Sequence, residues 1–486
     1  MKKIFHILSA LTCVLLMASC DSLLDVKNPS DIYGDGFWST KGEVMSYLIG
    51  TYTSFRSCCN TLENFEARSD EFVPGLESGG STQWAHNLTS TNGIGWGSYY
   101  TVIQHCNLIL KKIEGVEFSL QSEKNQIIAE ALVMRSYMYY CVARLWGDAP
   151  IELDPTEGSN KPMLARSPKE EVIAQVLADL DRAIELFPTD SWAKGKSRAS
   201  KPAAYALKAA TLLWKAKVLG GGNDDYLEVI RCSDFALKGT SLEENFSDIF
   251  GTRNGPEVIW SIHFGYPEAS GTYYHTLTLR DVFVEKAVNK DEVPYAKSGA
   301  RSTYAPSPEI IDIFSEYKGD VRKSNAYVEA VDANGTVLGV SQRKMPGTKT
   351  ETNVIFDNDI VLFRAAEMIL FKAEAYAAMG QVDEAVEQLN LTRRRAGIGD
   401  YDGGKDKKTV ELAILNERGR EFWLENKRWP DLLRFHYEGV IDVYQVVPRL
   451  KARYDAGSKI PLYLAVPVSE LSLNHNLVQT EGYENL

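Results

Sequence analysis

Ala373, Tyr376, Gly380, Ala385 and Leu389 fall at the spacings of the tetratricopeptide pattern. More than any other feature, that pattern limits the folds open to this chain. Small residues stand where two antiparallel helices touch, and the tyrosine and leucine fill the space between them. One such pair cannot bury its apolar face alone, but stacked pairs share a continuous core. Helical periodicity supplies further pairs over 122–146 with 168–186 and over 201–219 with 224–237, each closed by Pro or Gly signals. Helices are also expected over 41–56, 99–113, 360–379, 382–396 and 408–426.

Elsewhere the pattern changes. EVIWSIHF, 257–264, reads as a short strand. Residues 265–305 are loop-like and aromatic, with Tyr266, Tyr273, Tyr274, Tyr295 and Tyr304. Segments 326–331 and 336–341 flank Asp332-Ala333-Asn334-Gly335, a hairpin signal centred on Asn-Gly. Residues 74–97 are polar and glycine-rich and read as a long loop, the kind that is often functional in a compact protein. The expected fold class is therefore mostly α, a tetratricopeptide-like helix-pair scaffold with a packed loop-rich half containing short strands. After the leader described next, residues 20–486 make a single body. Residues 20–240 are mainly helical, and 241–486 are loop-rich and then return to the helical repeat.

The chain opens with Lys2 and Lys3, an apolar run over 4–17, and Ala18-Ser19-Cys20 before a polar stretch. A basic start, a short apolar core and small residues before the cut mark residues 1–19 as a secretory signal peptide. The apolar run is short for a membrane span, and no later segment is apolar enough to be one. With cysteine directly after Ala-Ser, the start resembles a bacterial lipoprotein signal. That resemblance implies cleavage before Cys20, lipidation of its thiol, and a soluble body tethered to a membrane. Net charge is −12, from 53 basic and 65 acidic residues, with no dense Lys/Arg stripe, so nucleic acid is not the expected partner. Cys58, Cys59, Cys106, Cys141 and Cys232 remain in the body at spacings that fit neither a disulfide framework nor a metal site. Cys106 and Cys141 lie in apolar helical runs and are expected in the core.

Catalytic chemistry has one candidate. Glu417, Glu421 and Glu425 recur every four residues and so share a helix face. Paired carboxylates can hydrolyse glycosides, but Arg418, Arg428 and Arg434 stand nearby to neutralise them, and an ion-pair network pinning helices is the expected role. There is no HExxH, no GxSxG and no zinc-type cysteine spacing. Gly195-Lys196-Ser197 imitates the end of a phosphate loop, but Asp190 stands where its first glycine belongs. No enzyme activity and no cofactor are expected. Calcium at Asp357 and Asp359 is the weak alternative, since no complete calcium loop surrounds them.

Five segments together resemble the SusD/RagB family of outer-membrane nutrient-binding lipoproteins. Asn28-Pro29 and Gly36-Phe37-Trp38 lead into a helix ending Tyr47-Leu48-Ile49-Gly50-Thr51-Tyr52. Trp96, Tyr100, Ile103 and Asn107 follow the first long loop. Arg135-Ser136-Tyr137 precedes Leu145-Trp146-Gly147-Asp148-Ala149-Pro150. Arg364-Ala365-Ala366-Glu367 and Ala373-Glu374-Ala375-Tyr376 lead to Glu417-Arg418, Glu421, Glu425, Arg428-Trp429 and Asp431-Leu432-Leu433-Arg434. Pro467, Glu470, Leu471, Gln479 and Gly482-Tyr483 match the family's ending, although Thr480-Glu481 replaces the usual Asn-Pro. The resemblance implies a tetratricopeptide-type scaffold at the surface of Bacteroidetes-type bacteria. It also implies a SusC-like TonB-dependent outer-membrane barrel as partner, and capture without cleavage of an oligosaccharide or, in some members, a peptide.

Sugar binding asks for aromatic faces and short polar side chains. Trp84 sits in a polar loop with no local core to join, and Asn87, three residues on, can donate and accept. Tyr273, Tyr274 and Tyr295 lie in unpatterned stretches, and Asp70, before the first loop, either bonds a ligand or fixes the loop. For Trp84 the competing role is loop anchoring. Trp96 is expected to be packing and Trp192 surface or interface.

Overall fold

The structure is a computed structural model that describes residues 37–156 and 162–483. Cys20, segment 1–19, Asn28-Pro29 and Gly36 lie outside the described residues. Helix α1, Lys41–Cys59, starts at a capping box: the Glu43 amide donates to Thr40 Oγ1, and the Thr40 amide donates to Glu43 Oε2 at 2.8 Å. It is followed by α2 Gly97–Lys112, α3 Gln121–Trp146, α4 Lys169–Leu186, α5 Lys201–Val218 and α6 Asn223–Leu237. Each helix packs against the next, and the expected pairs α3 with α4 and α5 with α6 are observed. Gly147 leaves α3 at φ 73°, a conformation that favours glycine.

The stack resumes with α7 Ala365–Ala378, α8 Val382–Arg395, α9 Lys407–Phe422 and α10 Arg428–Tyr437. Ala373, Ala385 and Leu389 are fully buried at the α7–α8 seam, as the repeat spacing requires, and Gly380 turns the chain there at φ 78°. Helix α6 packs directly against α7, although 238–364 separates them in sequence. The loop-rich segment is thus inserted into one continuous helical stack, and a single core cluster runs from Trp38 to Leu477. Cys106 and Cys141 are buried in it, as expected.

The inserted segment contains β2 Val258–Ile262, β3 Tyr304–Pro306, β4 Tyr327–Val331 and β5 Val337–Gln342; β1 Phe72–Pro74 pairs antiparallel with β3. The β4–β5 hairpin closes where Asp332 Oδ1 accepts from the Asn334 and Thr336 amides at 2.8 Å each. One expectation fails here. Residues 360–364 are not the start of a helix but strand β6, antiparallel to β2. Every residue of both strands is buried, so the run IVLF carries no alternating signal, and a short apolar run fits a strand as well as a helix.

The carboxylate ladder is also modified. Helix α9 stops at Phe422, and Leu424 and Asn426 take φ of 67° and 61°, so Glu425 is not on the helical face with Glu417 and Glu421. All three are nevertheless buried in ion pairs, but their partners are not Arg418, Arg428 or Arg434; apart from Arg420, which reaches Glu417 at 3.2 Å, they come from distant segments. Arg322 reaches Glu417 at 2.7 Å and Glu421 at 3.0 Å. Arg364 reaches Glu421 and Glu257 at 2.6 Å each and Glu425 at 2.9 Å. Arg395 pairs with Glu421 as well. Burial alone would raise the Glu421 carboxyl, but Arg395, Arg364 and Arg322 outweigh it and hold it well below the usual range. Arg418 instead pairs with Asp431, Arg428 with Asp70, and Arg434 with Glu374.

Candidate functional site

Strand β1 delivers the chain into the loop that follows Pro74, and a distant segment clamps that loop. Arg449 Nε donates to Trp84 O at 2.6 Å, its Nη1 to Phe72 O at 3.3 Å, and its guanidinium also reaches Ser69 O. The same guanidinium lies 4.6 Å from the Trp84 ring centre. Trp84 Nε1 donates to Phe72 O at 2.8 Å, and Gly80 packs so close to the indole that a Cβ there would collide with it. Arg453 Nη2 donates to Asn87 Oδ1 at 3.1 Å. Between them, His86 is buried, with Nε2 2.7 Å from Arg68 O. Burial, with Arg68 and Arg449 beside it, holds His86 well below its ordinary value, so it is neutral.

Beside this loop lies an open cleft of about 590 Å³, within the size range of small-ligand sites. Thr53 and Ser57 of α1 face Ser98 and Thr101 at the start of α2, and Gln83 and Ile94 of the loop close it. Most of its lining residues carry a hydroxyl or an amide, although the surface they turn to the cleft is more apolar than polar. At its edge Glu63 accepts from Tyr304 Oη at 2.7 Å and from Ser81 Oγ at 2.5 Å, which ties loop to strand β3. Such a surface can trade hydrogen bonds with a polyhydroxylated ligand.

The residues expected at the ligand site do not converge. Asp70 is buried and bonded through both oxygens to Arg428 at 2.9 Å, so it fixes the segment before the loop and does not face solvent. Tyr273 and Tyr274 are 4% and 1% exposed. Tyr273 Oη donates to Leu424 O at 3.3 Å and Tyr274 Oη to Asp359 O at 3.5 Å. Both are core residues, because an irregular segment buries aromatics without any sequence period. Trp84 has the contacts of a loop anchor, half-buried with its N–H and part of its ring engaged. Asn87 is exposed on the loop, and Tyr295 lines a different cleft. Trp96 is packed edge-on to Trp146. Trp192 is half-buried and donates to Ile259 O at 2.7 Å.

Asp357 accepts from the Thr348 and Tyr266 amides and from Thr348 Oγ1, and Asp359 accepts from the Phe264 amide. Arg253 lies 3.6 and 3.8 Å from the two carboxylates. Among the described residues no group of three or more His, Cys, Asp or Glu side chains is arranged to hold a metal ion. The parts that Glu63, Tyr304 and Arg449 play in holding the loop have no sequence signal, since each rests on contacts between segments far apart in the chain.

A family model described as "SusD family" matches residues 315–483, and one described as "Starch-binding associating with outer membrane" matches residues 23–213. The chain is 27% identical over 483 residues to SusD-like protein P38 of Formosa agariphila, covering 89% of this chain and 92% of that one. It is 34% identical over 131 residues to Starch-binding protein SusD of Bacteroides thetaiotaomicron, a stretch that covers 26% of this chain and 22% of that one. A SusD superfamily protein from Bacteroides fragilis, 23% identical, matches with a TM-score of 0.80 over 92% of this chain and 100% of that chain. Surface glycan-binding protein A from Bacteroides fluxus, 21% identical, matches with a TM-score of 0.72 over 92% of this chain and 100% of that chain. At these identities the two structures establish the fold alone.

Proposed function

Because the chain belongs to the SusD/RagB family, we propose that it is a lipid-anchored, outward-facing glycan-binding protein that captures an oligosaccharide and passes it to a SusC-like TonB-dependent barrel. The observation that carries the reading is the match over 23–213 to a family described by starch binding and association with the outer membrane. The hydroxyl- and amide-lined cleft beside the 74–97 loop supports it. The acidic residues that would serve a hydrolase are instead neutralised in the buried network around Glu421, which favours binding without cleavage.

Calorimetric titration against a panel of oligosaccharides, with short peptides as the contrast, tests the ligand class. An oligosaccharide is expected to bind, and Thr101→Trp, which fills the cleft from an exposed helix position, is expected to weaken it about tenfold or more without lowering the melting temperature. Peptide binding with no oligosaccharide binding would reject the glycan reading, and glycan cleavage would reject the non-catalytic one. Cys20→Ala is expected to move the protein from the membrane to the soluble fraction, still folded, because each buried lipid methylene contributes about 0.8 kcal/mol to anchoring. Membrane retention of that variant would sink the anchor. Mild-detergent affinity purification of the parent is expected to bring down a large barrel.

A further inference from the structure

A second cleft, of about 820 Å³, opens in the inserted segment and shares no lining residue with the first. Its floor is built. Lys344 Nζ lies 5.3 and 5.0 Å from the ring centres of Phe246 and Phe250 and is satisfied by Glu425 at 2.7 Å. Its walls carry Lys290, Lys297, Arg343 and Lys349, none of which forms an ion pair among the described residues. The carboxylates in the lining are Asp291, Glu292 and Glu351, all exposed. Leaving out Lys344, which Glu425 neutralises, the lining sets four cations against three carboxylates in a chain whose net charge is −12.

The cations sit on segments held in place. Asn353 Oδ1 accepts from the Lys297 amide at 2.8 Å, and Asn353 Nδ2 donates to Ser298 Oγ at 2.8 Å. Asn289, next to Lys290, donates to Glu329 O at 2.8 Å and accepts from the Val331 amide at 3.1 Å. Tyr295 is half-buried in the wall, with Lys290 Nζ 5.6 Å from its ring centre.

We propose that this cleft binds an oligosaccharide carrying carboxylate or sulfate groups, an inference that rests on the glycan-binding reading above. The Tyr295 ring lies in the wall beside Lys290, where its exposed part can pack against a sugar ring. The unpaired cations hold the anionic substituents through charge-assisted hydrogen bonds, while Asp291, Glu292 and Glu351 accept from hydroxyls.

The test is calorimetric titration of the full chain in detergent with trigalacturonate, a heparin-derived sulfated tetrasaccharide, neutral maltohexaose and a short polyglutamate peptide. At least one acidic sugar is expected to bind, and which one distinguishes carboxylate from sulfate. The double variant Lys297→Ala/Arg343→Ala is expected to weaken that binding about tenfold or more, as is added salt. Tyr295→Ala is expected to weaken it in the folded fraction, and the melting temperature of the double variant, whose two side chains are exposed, is expected to stay at the parent's. Failure of both acidic sugars to bind, unchanged affinity in the double variant, or equal binding of polyglutamate would overturn the proposal. Maltohexaose binding alone would overturn it and leave the glycan-binding function standing. If no oligosaccharide bound, both would fall.

Discussion

Arg364→Ala is expected to lower the unfolding free energy by about 3–5 kcal/mol, the cost of breaking a buried ion pair from one side. Arg364 is 1% exposed and stands where β6 passes into α7. Its guanidinium bonds to Glu257, Glu421 and Glu425 and also to Glu421 O at 2.8 Å. Removing it leaves three carboxylates in a place that water does not reach, with Arg322, Arg395 and Lys344 to share among them. Burial pulls the guanidinium's own affinity for its proton down, but Glu425, Glu421 and Glu257 more than offset this. Chemical denaturation of the variant measures the loss. A change below about 1 kcal/mol would mean that the network behaves like a surface ion pair. Ligand affinity in the folded fraction is expected to hold, because Arg364 touches neither cleft.

Glu71→Gln is expected to stabilise the protein by about 1–3 kcal/mol at neutral pH. Glu71 is 1% exposed beside the fully buried Glu66. Glu66 Oε1 accepts from the Leu424 amide at 2.7 Å, whereas for Glu66 Oε2 and both Glu71 oxygens the donor available among the described residues is a proton shared between the two carboxyls. Burial first, and then the neighbouring Glu66 charge, push the Glu71 carboxyl well above its usual range, against the pull of Arg428. The pair therefore retains a proton in the folded state that the unfolded chain releases at about pH 4.3. Above that pH the unfolded state binds fewer protons than the folded one. Stability then falls by up to about 1.4 kcal/mol per pH unit until the folded pair ionises. Glutamine keeps the donor and removes the titration. The advantage of the variant should be small near pH 4 and widen toward neutrality. A variant less stable than the parent at neutral pH would show that Glu71 is ionised and partnered there.

The helix pairs were legible in the sequence because a 3.6-residue period and its Gly and Pro stops are local properties. The hairpin at Asn334-Gly335 was legible for the same reason. Strand β6 was not, since a strand buried on both faces carries no alternation. The candidate site was only partly legible. A tryptophan in a polar loop suggests a ligand platform until its partner is known, and the partner of Trp84 is Arg449, 365 positions away. Nothing periodic surrounds Tyr273 and Tyr274, so their place in the core shared with the helical stack had no local signal. The family motifs near the C-terminus pointed to the buried network, but the pairing of its arginines was set by tertiary contacts that helix spacing does not encode.

The seam between α6 and α7 also has a kinetic consequence. The two helices touch across the whole inserted segment, so the chain must close a very long loop before that contact repays it. Each doubling of such a loop adds only about 0.6 kcal/mol of entropy, so the equilibrium cost is modest, but distant pairings slow the search for the native state. Helices α1 to α6 and α7 to α10 can each assemble from near neighbours, while the α6–α7 seam waits for the ends of residues 238–364 to meet. Until then the outer face of α6 stays uncovered, which makes a half-made chain a natural client for a holding chaperone.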